Sequence, residues 1–118
     1  MATASDQLSA IDSFKSYFVI LNQRQLEPVM ARIHPDCIHM VDGSVVGVGK
    51  AAMRAIYQQA FSEPNSAPVT LQDGLIESNG RDVFTTIVLP SCTFKMNYAF
   101  DAEGLMTKHS ILEVTKLE

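Results

Sequence analysis

The feature that most constrains this chain is a change of period near Val69. Before it, apolar residues recur at helical spacing; after it, they fall in short segments separated by turn signals. Asn79-Gly80 is the strongest local hairpin signal a chain can carry, because it suits the positive φ angles of a two-residue turn. "VTLQDGLIES" precedes it as one strand, and "RDVFTTIVL", rich in β-branched residues, returns from it. "TFKMNYAF", the turn "DAEG" and "LMTKHSILEVTKL" continue the antiparallel run. Helices first and hairpin-linked strands later indicate an α+β class, not a parallel α/β sheet.

The helical half reads as three stripes. Leu8, Ile11, Phe14, Tyr17, Phe18 and Leu21 form the first, with Ser5 or Asp6 placed to cap it. Leu26, Val29, Met30 and Ile33 form the second, starting at Gln25 or Asn22. Pro28 falls in its first turn, where backbone N–H groups lack intrahelical partners anyway. His34-Pro35 ends this helix, since the residue before a proline avoids the α region, and His34 would interact with the helix dipole. The short link between the stripes predicts an antiparallel helix pair. "DCIHMVDG" is then a strand ending in a turn, and "SVVGVGK" a brief extended piece. Met53, Ile56, Tyr57, Ala60 and Phe61 make the third stripe, and "SEPNSAP" a loop.

A length of 118 residues suits one domain, 1–118. Apolar residues make up 47 % of it, enough to build a core. The net charge of −4 opposes nonspecific nucleic-acid binding, which needs a basic face. No apolar run is long enough to span a bilayer, and "MATASDQLSA" lacks the features of a secretion signal. The two cysteines, Cys37 and Cys92, are not a CxxC pair and are expected to be free thiols in a cytoplasmic protein.

"HPDCIHMVDG", residues 34–43, concentrates two histidines, two aspartates and a cysteine. His34, Asp36, His39 and Asp42 invite a metal-site reading. His34 lies at the expected helix end, however, and His39 and Asp42 are an odd number of strand positions apart, which sends them to opposite faces. No metal is expected. "GVGKAA" fits a dinucleotide fingerprint, but the strands after it are hairpins, so its glycines serve a tight helix entry. The last strand alternates Thr107, His109, Ile111 and Glu113 on one face with Lys108, Ser110, Leu112 and Val114 on the other. A His and a Glu on a half-buried face suit acid–base chemistry, or form a structural pair. Tyr17 and Tyr98 are phenols that need hydrogen-bond partners if buried, in a pocket or in the core.

The order and spacing of "YFVILNQRQLEPVMARIHPDCIHMVDG", "VVGVGKAAMRAIYQQAF" and "FDAEGLMTKHSILE" resemble the nuclear transport factor 2-like superfamily, in its SnoaL-like polyketide cyclase and ketosteroid isomerase-like branch. The resemblance covers nearly the whole chain. It implies a cone-shaped, curved antiparallel sheet packed on three N-terminal helices, the cystatin-like α+β barrel. It implies an apolar pocket in the cone, a hydrophobic small-molecule ligand and a homodimer through the outer sheet face. Tyr17 matches a helix-one tyrosine that donates to an oxyanion in ketosteroid isomerases. Their general-base aspartate falls at Val41, or at Asp42 if the turn shifts by one. Their second oxyanion donor falls near Met96, beside Asn97, so the isomerase set is incomplete.

The expectation is a small enzyme without metal or organic cofactor, acting on a polyketide-, terpenoid- or steroid-like molecule by isomerisation, cyclisation or dehydration. His109, Asp42, Tyr17, Glu113 and His39 are the candidate catalytic residues. Tyr98, Met96, Ile111, Phe18, Val41 and Tyr57 are candidate substrate contacts. His109 or Asp42 would take a proton, Tyr17 or Tyr98 would donate to an oxyanion, and Glu113 would orient His109 or act as the acid. His39 or Asp42 would face the pocket; both doing so requires irregular geometry. The alternative is a non-catalytic binding or dimerisation module of the same fold.

Overall fold

A computed structural model describes residues 9–62 and 69–116. Helix α1 (Ala10–Asn22) begins where Ser9 Oγ accepts a hydrogen bond from the Asp12 N–H. Ser9 therefore caps the helix; the expected caps Ser5 and Asp6, with Leu8, lie outside the described residues. The stripe buries Phe14 and Tyr17 and leaves Phe18 and Leu21 packed at the core's edge. Helix α2 (Leu26–Met30) starts at Gln25 and holds Pro28 in its first turn.

The chain does not stop α2 at His34-Pro35. Helix α2 has already ended, and strand β1 (Ile33–Val41) runs through both residues. His34 Nδ1 accepts a hydrogen bond from the Asp36 N–H instead of meeting a helix terminus. Pro35, with no N–H to give, falls where the pairing of β1 with its neighbour shifts register between Ile33 and Ile38. Asp42 and Gly43, both at positive φ (51° and 82°), turn β1 into β2 (Ser44–Val48). Helix α3 (Lys50–Ser62) follows, burying Met53 and Tyr57.

The expected single strand at 69–78 is two short ones. β3 (Thr70–Leu71) and β4 (Glu77–Asn79) both pair with β5 (Asp82–Val88), separated by a 3₁₀ turn at Gln72–Gly74. Gly74, at φ 66°, permits that excursion, and Thr85 Oγ1 donates to the Leu75 carbonyl to hold it. β6 (Cys92–Phe100) and β7 (Met106–Lys116) complete an unclosed, curved sheet of order β2-β1-β7-β6-β5-β3, with β4 beside β5. The pairings are antiparallel except that β1 and β7 run parallel.

The three helices pack in the concavity of this sheet. Phe14 lies at the centre, fully buried, its ring 5.1 Å from Tyr98 and 5.6 Å from Phe18. Such aromatic contacts add to the burial of apolar area that holds the layers together. Phe14→Ala should lower the unfolding free energy by about 3–5 kcal/mol. Urea titration followed by circular dichroism measures it; a loss below about 1 kcal/mol contradicts this account of the core.

Candidate functional site

The parallel register of β1 with β7 sets His39 directly beside His109. The antiparallel register of β6 with β7 sets Tyr98 on the other flank of His109. All three side chains point into the concavity. The imidazole centroids are 4.9 Å apart, and Nδ1 of His39 lies 3.0 Å from Nδ1 of His109. The same His39 nitrogen is 3.1 Å from the backbone carbonyl oxygen of His109. Tyr98 and Tyr57 stand nearly perpendicular to the His109 ring, with centroids 5.4 and 6.0 Å away.

Behind this pair the three tyrosines of the chain gather. Tyr17 Oη and Tyr57 Oη are 2.7 Å apart, and the Tyr17 ring is 5.6 Å from Tyr98. Burial pushes each phenol well above its usual pKa; next in weight come Tyr57 for Tyr17, Tyr98 for Tyr57, and Tyr17 for Tyr98. Burial, then the neighbouring His39, pulls His109 down to about 3. Burial alone pushes the Cys37 thiol up to about 12. At neutral pH the three phenols, the thiol and His109 are therefore all uncharged.

A cavity of about 230 Å³ opens from this cluster between the C-terminal turns of α1 and α3 and the sheet. Met96, Tyr98, His109 and Ile111 line it, as do Phe61, Phe94 and Ile87. Tyr98 and His109 are its most deeply buried polar residues; Asn22 and Arg24 stand at the mouth. Asn22 brackets residue 69, donating from Nδ2 to the Val69 carbonyl and accepting from the Val69 N–H. Arg24, at φ 56°, donates to the carbonyls of Ala60 and Phe61 and lies 5.5 Å from the Phe61 ring centroid. No carboxylate is among the described lining residues.

The other selected residues lie elsewhere. Tyr17, Tyr57 and Phe18 belong to the core and its edge, and His39 stands behind His109. Val41, Asp42 and Glu113 are exposed, around a separate depression of about 290 Å³ that also touches Ile111. Asp42 is held out there by its turn. Glu113 is moved by a bulge: Ile111 pairs with Met96 but Glu113 with Lys95, so Leu112 is an extra residue and the faces of β7 exchange beyond it. Glu113 thus cannot orient His109. A larger depression, about 380 Å³, opens on the convex face around Leu75, Phe84 and Lys95, away from the histidines. Among the described residues, no group of three or more His, Cys, Asp or Glu could hold a metal.

Sequence reasoning missed Phe94 and the mouth residues Asn22 and Arg24. Phe94 was accessible, since it shares the strand parity of Met96 and Tyr98. Nothing local marks Asn22 or Arg24; their roles arise from where residues 60, 61 and 69 come to lie.

Solved structures share this architecture. One is the epoxide hydrolase/cyclase-like enzyme SalBIII, described in pyran ring formation in the polyether salinomycin (TM-score 0.70, 15% identity, covering 92% of this chain and 90% of that one). Another is a steroid delta-isomerase from Pseudomonas aeruginosa (TM-score 0.68, 14% identity, 92% and 80% covered). A third is an NTF2-like protein of unknown function from Cytophaga hutchinsonii (TM-score 0.68, 12% identity, 99% and 95% covered). The chain has the nuclear transport factor 2-like fold. No protein-family model and no curated protein matches it. At these identities the likeness establishes the fold. No helix among the described residues is long and apolar enough to cross a membrane.

His109 makes this site sensitive to acid. Its folded pKa, about 3, lies below the ordinary histidine value of about 6.5. Between those values the unfolded chain binds a proton that the folded chain refuses, so stability falls as pH drops through that window. His109→Gln should flatten the decline of the urea midpoint between pH 7 and pH 4. Parallel declines in wild type and variant would show that His109 is not held neutral.

Proposed function

We propose that the cone cavity binds a small, largely apolar molecule carrying one polar oxygen, and that His109 meets that oxygen. The carrying observation is a mostly apolar cavity whose deep end holds the imidazole of His109 beside Tyr98. Apolar walls with few convergent polar groups are the usual form of a small-molecule site. The chemistry that fits is acid–base isomerisation, cyclisation or dehydration at or next to that oxygen, with His109 as the catalytic residue. The structures sharing the fold support this class, since they include an epoxide hydrolase/cyclase-like enzyme and a steroid isomerase. Polyketide-, terpenoid- or steroid-like compounds match the cavity's character.

A non-catalytic binding module is the second reading. It is favoured by the neutrality of the buried phenols and His109, and by the lack of a carboxylate among the described lining residues. We also propose a homodimer through the convex sheet face, supported by the exposure of Val45, Val48 and Phe84 there. Sedimentation should give twice the 13.0 kDa chain mass; a monomer at tens of micromolar would exclude a stable dimer.

The probe 2-acetylnaphthalene, a small apolar ketone, separates the two functional readings. Wild type should bind it, and Ala60→Phe, which fills the cavity, should weaken binding at least tenfold. If the protein is an enzyme, it should also speed exchange of the ketone's methyl hydrogens with D₂O, deuteroxide from solvent taking the proton from carbon while His109 hydrogen-bonds the enolate oxygen, read by proton NMR. His109→Ala should abolish that acceleration while its circular dichroism stays native. Binding without accelerated exchange would favour the non-catalytic module, and unchanged exchange in His109→Ala would remove His109 from the catalytic role.

A further inference from the structure

The contact between the two histidines has a direction. His39 Nδ1 lies within hydrogen-bond distance of two atoms, His109 Nδ1 and the His109 carbonyl oxygen. A carbonyl oxygen can only accept. Without a hydrogen on His39 Nδ1, two lone pairs would face each other at 3.1 Å in a buried site, an uncompensated contact that low dielectric makes expensive. His39 Nδ1 therefore carries the hydrogen and shares it between the carbonyl and His109 Nδ1. His109 Nδ1 is then an acceptor, and the neutral His109 ring carries its own hydrogen on Nε2. The same geometry opposes protonation of His109, because a proton on its Nδ1 would point at the hydrogen of His39.

The position of the strands decides where that Nε2–H goes. Nδ1 of His109 is turned toward β1, so the opposite edge of the ring is turned toward β6. The cavity lies on that side, lined by Met96 and Tyr98 of β6. From the other elements packed on His109, Tyr57 of α3 and Tyr98 of β6 present uncharged rings.

We infer that His39 is a positioning residue that makes His109 a hydrogen-bond donor, and that the cavity selects molecules presenting an acceptor-only oxygen to it: a ketone, a lactone or ester carbonyl, or an enolate. The ligand class rests on the binding reading of the cavity; the role of His39 does not. A ring whose cavity-facing nitrogen bears hydrogen has no lone pair there to remove a proton from carbon. Its contribution is instead to stabilise negative charge developing on oxygen, from a position shielded from water.

Two measurements test this. In ¹⁵N-histidine-labelled protein at pH 7, long-range ¹H–¹⁵N correlation should show His109 with a protonated Nε2 and an unprotonated Nδ1. The opposite tautomer, or an averaged mixture, overturns the inference. For the ligand class, 2-acetylnaphthalene is compared with 2-isopropenylnaphthalene, which replaces the carbonyl by a carbon–carbon double bond of similar shape. Wild type should prefer the ketone by roughly fivefold, the worth of one net hydrogen bond. His39→Phe should lose the preference, and His39→Asn, whose amide retains an N–H donor, should keep it. Equal affinity of wild type for both probes, or a preference surviving in His39→Phe, overturns the proposed selectivity. Failure of both probes to bind overturns the cavity reading and with it the ligand class, while the wild-type spectrum still decides the role of His39.

Discussion

Strand β7 lies between β1 and β6, parallel to one and antiparallel to the other, and the site depends on that placement. His109 belongs to β7, its imidazole partner to β1 and its phenol partner to β6. In-register pairing brings all three together, so no loop is needed to position them. Strands resist displacement more than loops do, because a central strand is tied by ladder hydrogen bonds to a neighbour on each side, successive residues alternating between the two. The helices then close the concavity and exclude water from the histidine pair.

Exclusion of water is what gives the site its electrostatic character. A buried imidazole or phenol loses hydration, so the charged form becomes costly and the neutral form persists. The result is a cavity end in which dipoles and hydrogen bonds replace ion pairs. In such a setting a single N–H aimed at a ligand oxygen matters more than it would at the surface. The exposed acidic residues Asp42 and Glu113 remain on the outside, where hydration satisfies them.

Much of the architecture was legible from local pattern. The three helical stripes and the later strands follow from side-chain periodicity, a property of neighbours in the chain, and Asn79-Gly80 marks the hairpin, although Asn79 itself pairs with Asp82 and the two-residue loop is Gly80-Arg81, with Gly80 at positive φ. The helical burial of Phe14, Tyr17, Met53 and Tyr57 and the shared face of Met96, Tyr98, His109 and Ile111 come from the same periods. Two features of the fold that escaped are the continuation of β1 through His34-Pro35 and the interruption of the strand at 72–74. In each, a hydrogen bond or a partner strand outweighed the local preference.

The sequence by itself determined which residues share a face so long as each strand stays regular, and hence the α+β class and the face that carries His109. Tertiary structure alone decided which strand lies beside which, and where regularity breaks. The parallel pairing of β1 with β7 joins residues seventy positions apart, which no local period encodes. The extra residue at Leu112 exchanges the faces of β7, so Glu113 leaves the side of His109 although simple alternation places both together. Alternation is a property of one strand, whereas a bulge answers to the curvature that two paired strands must share to wrap the helices.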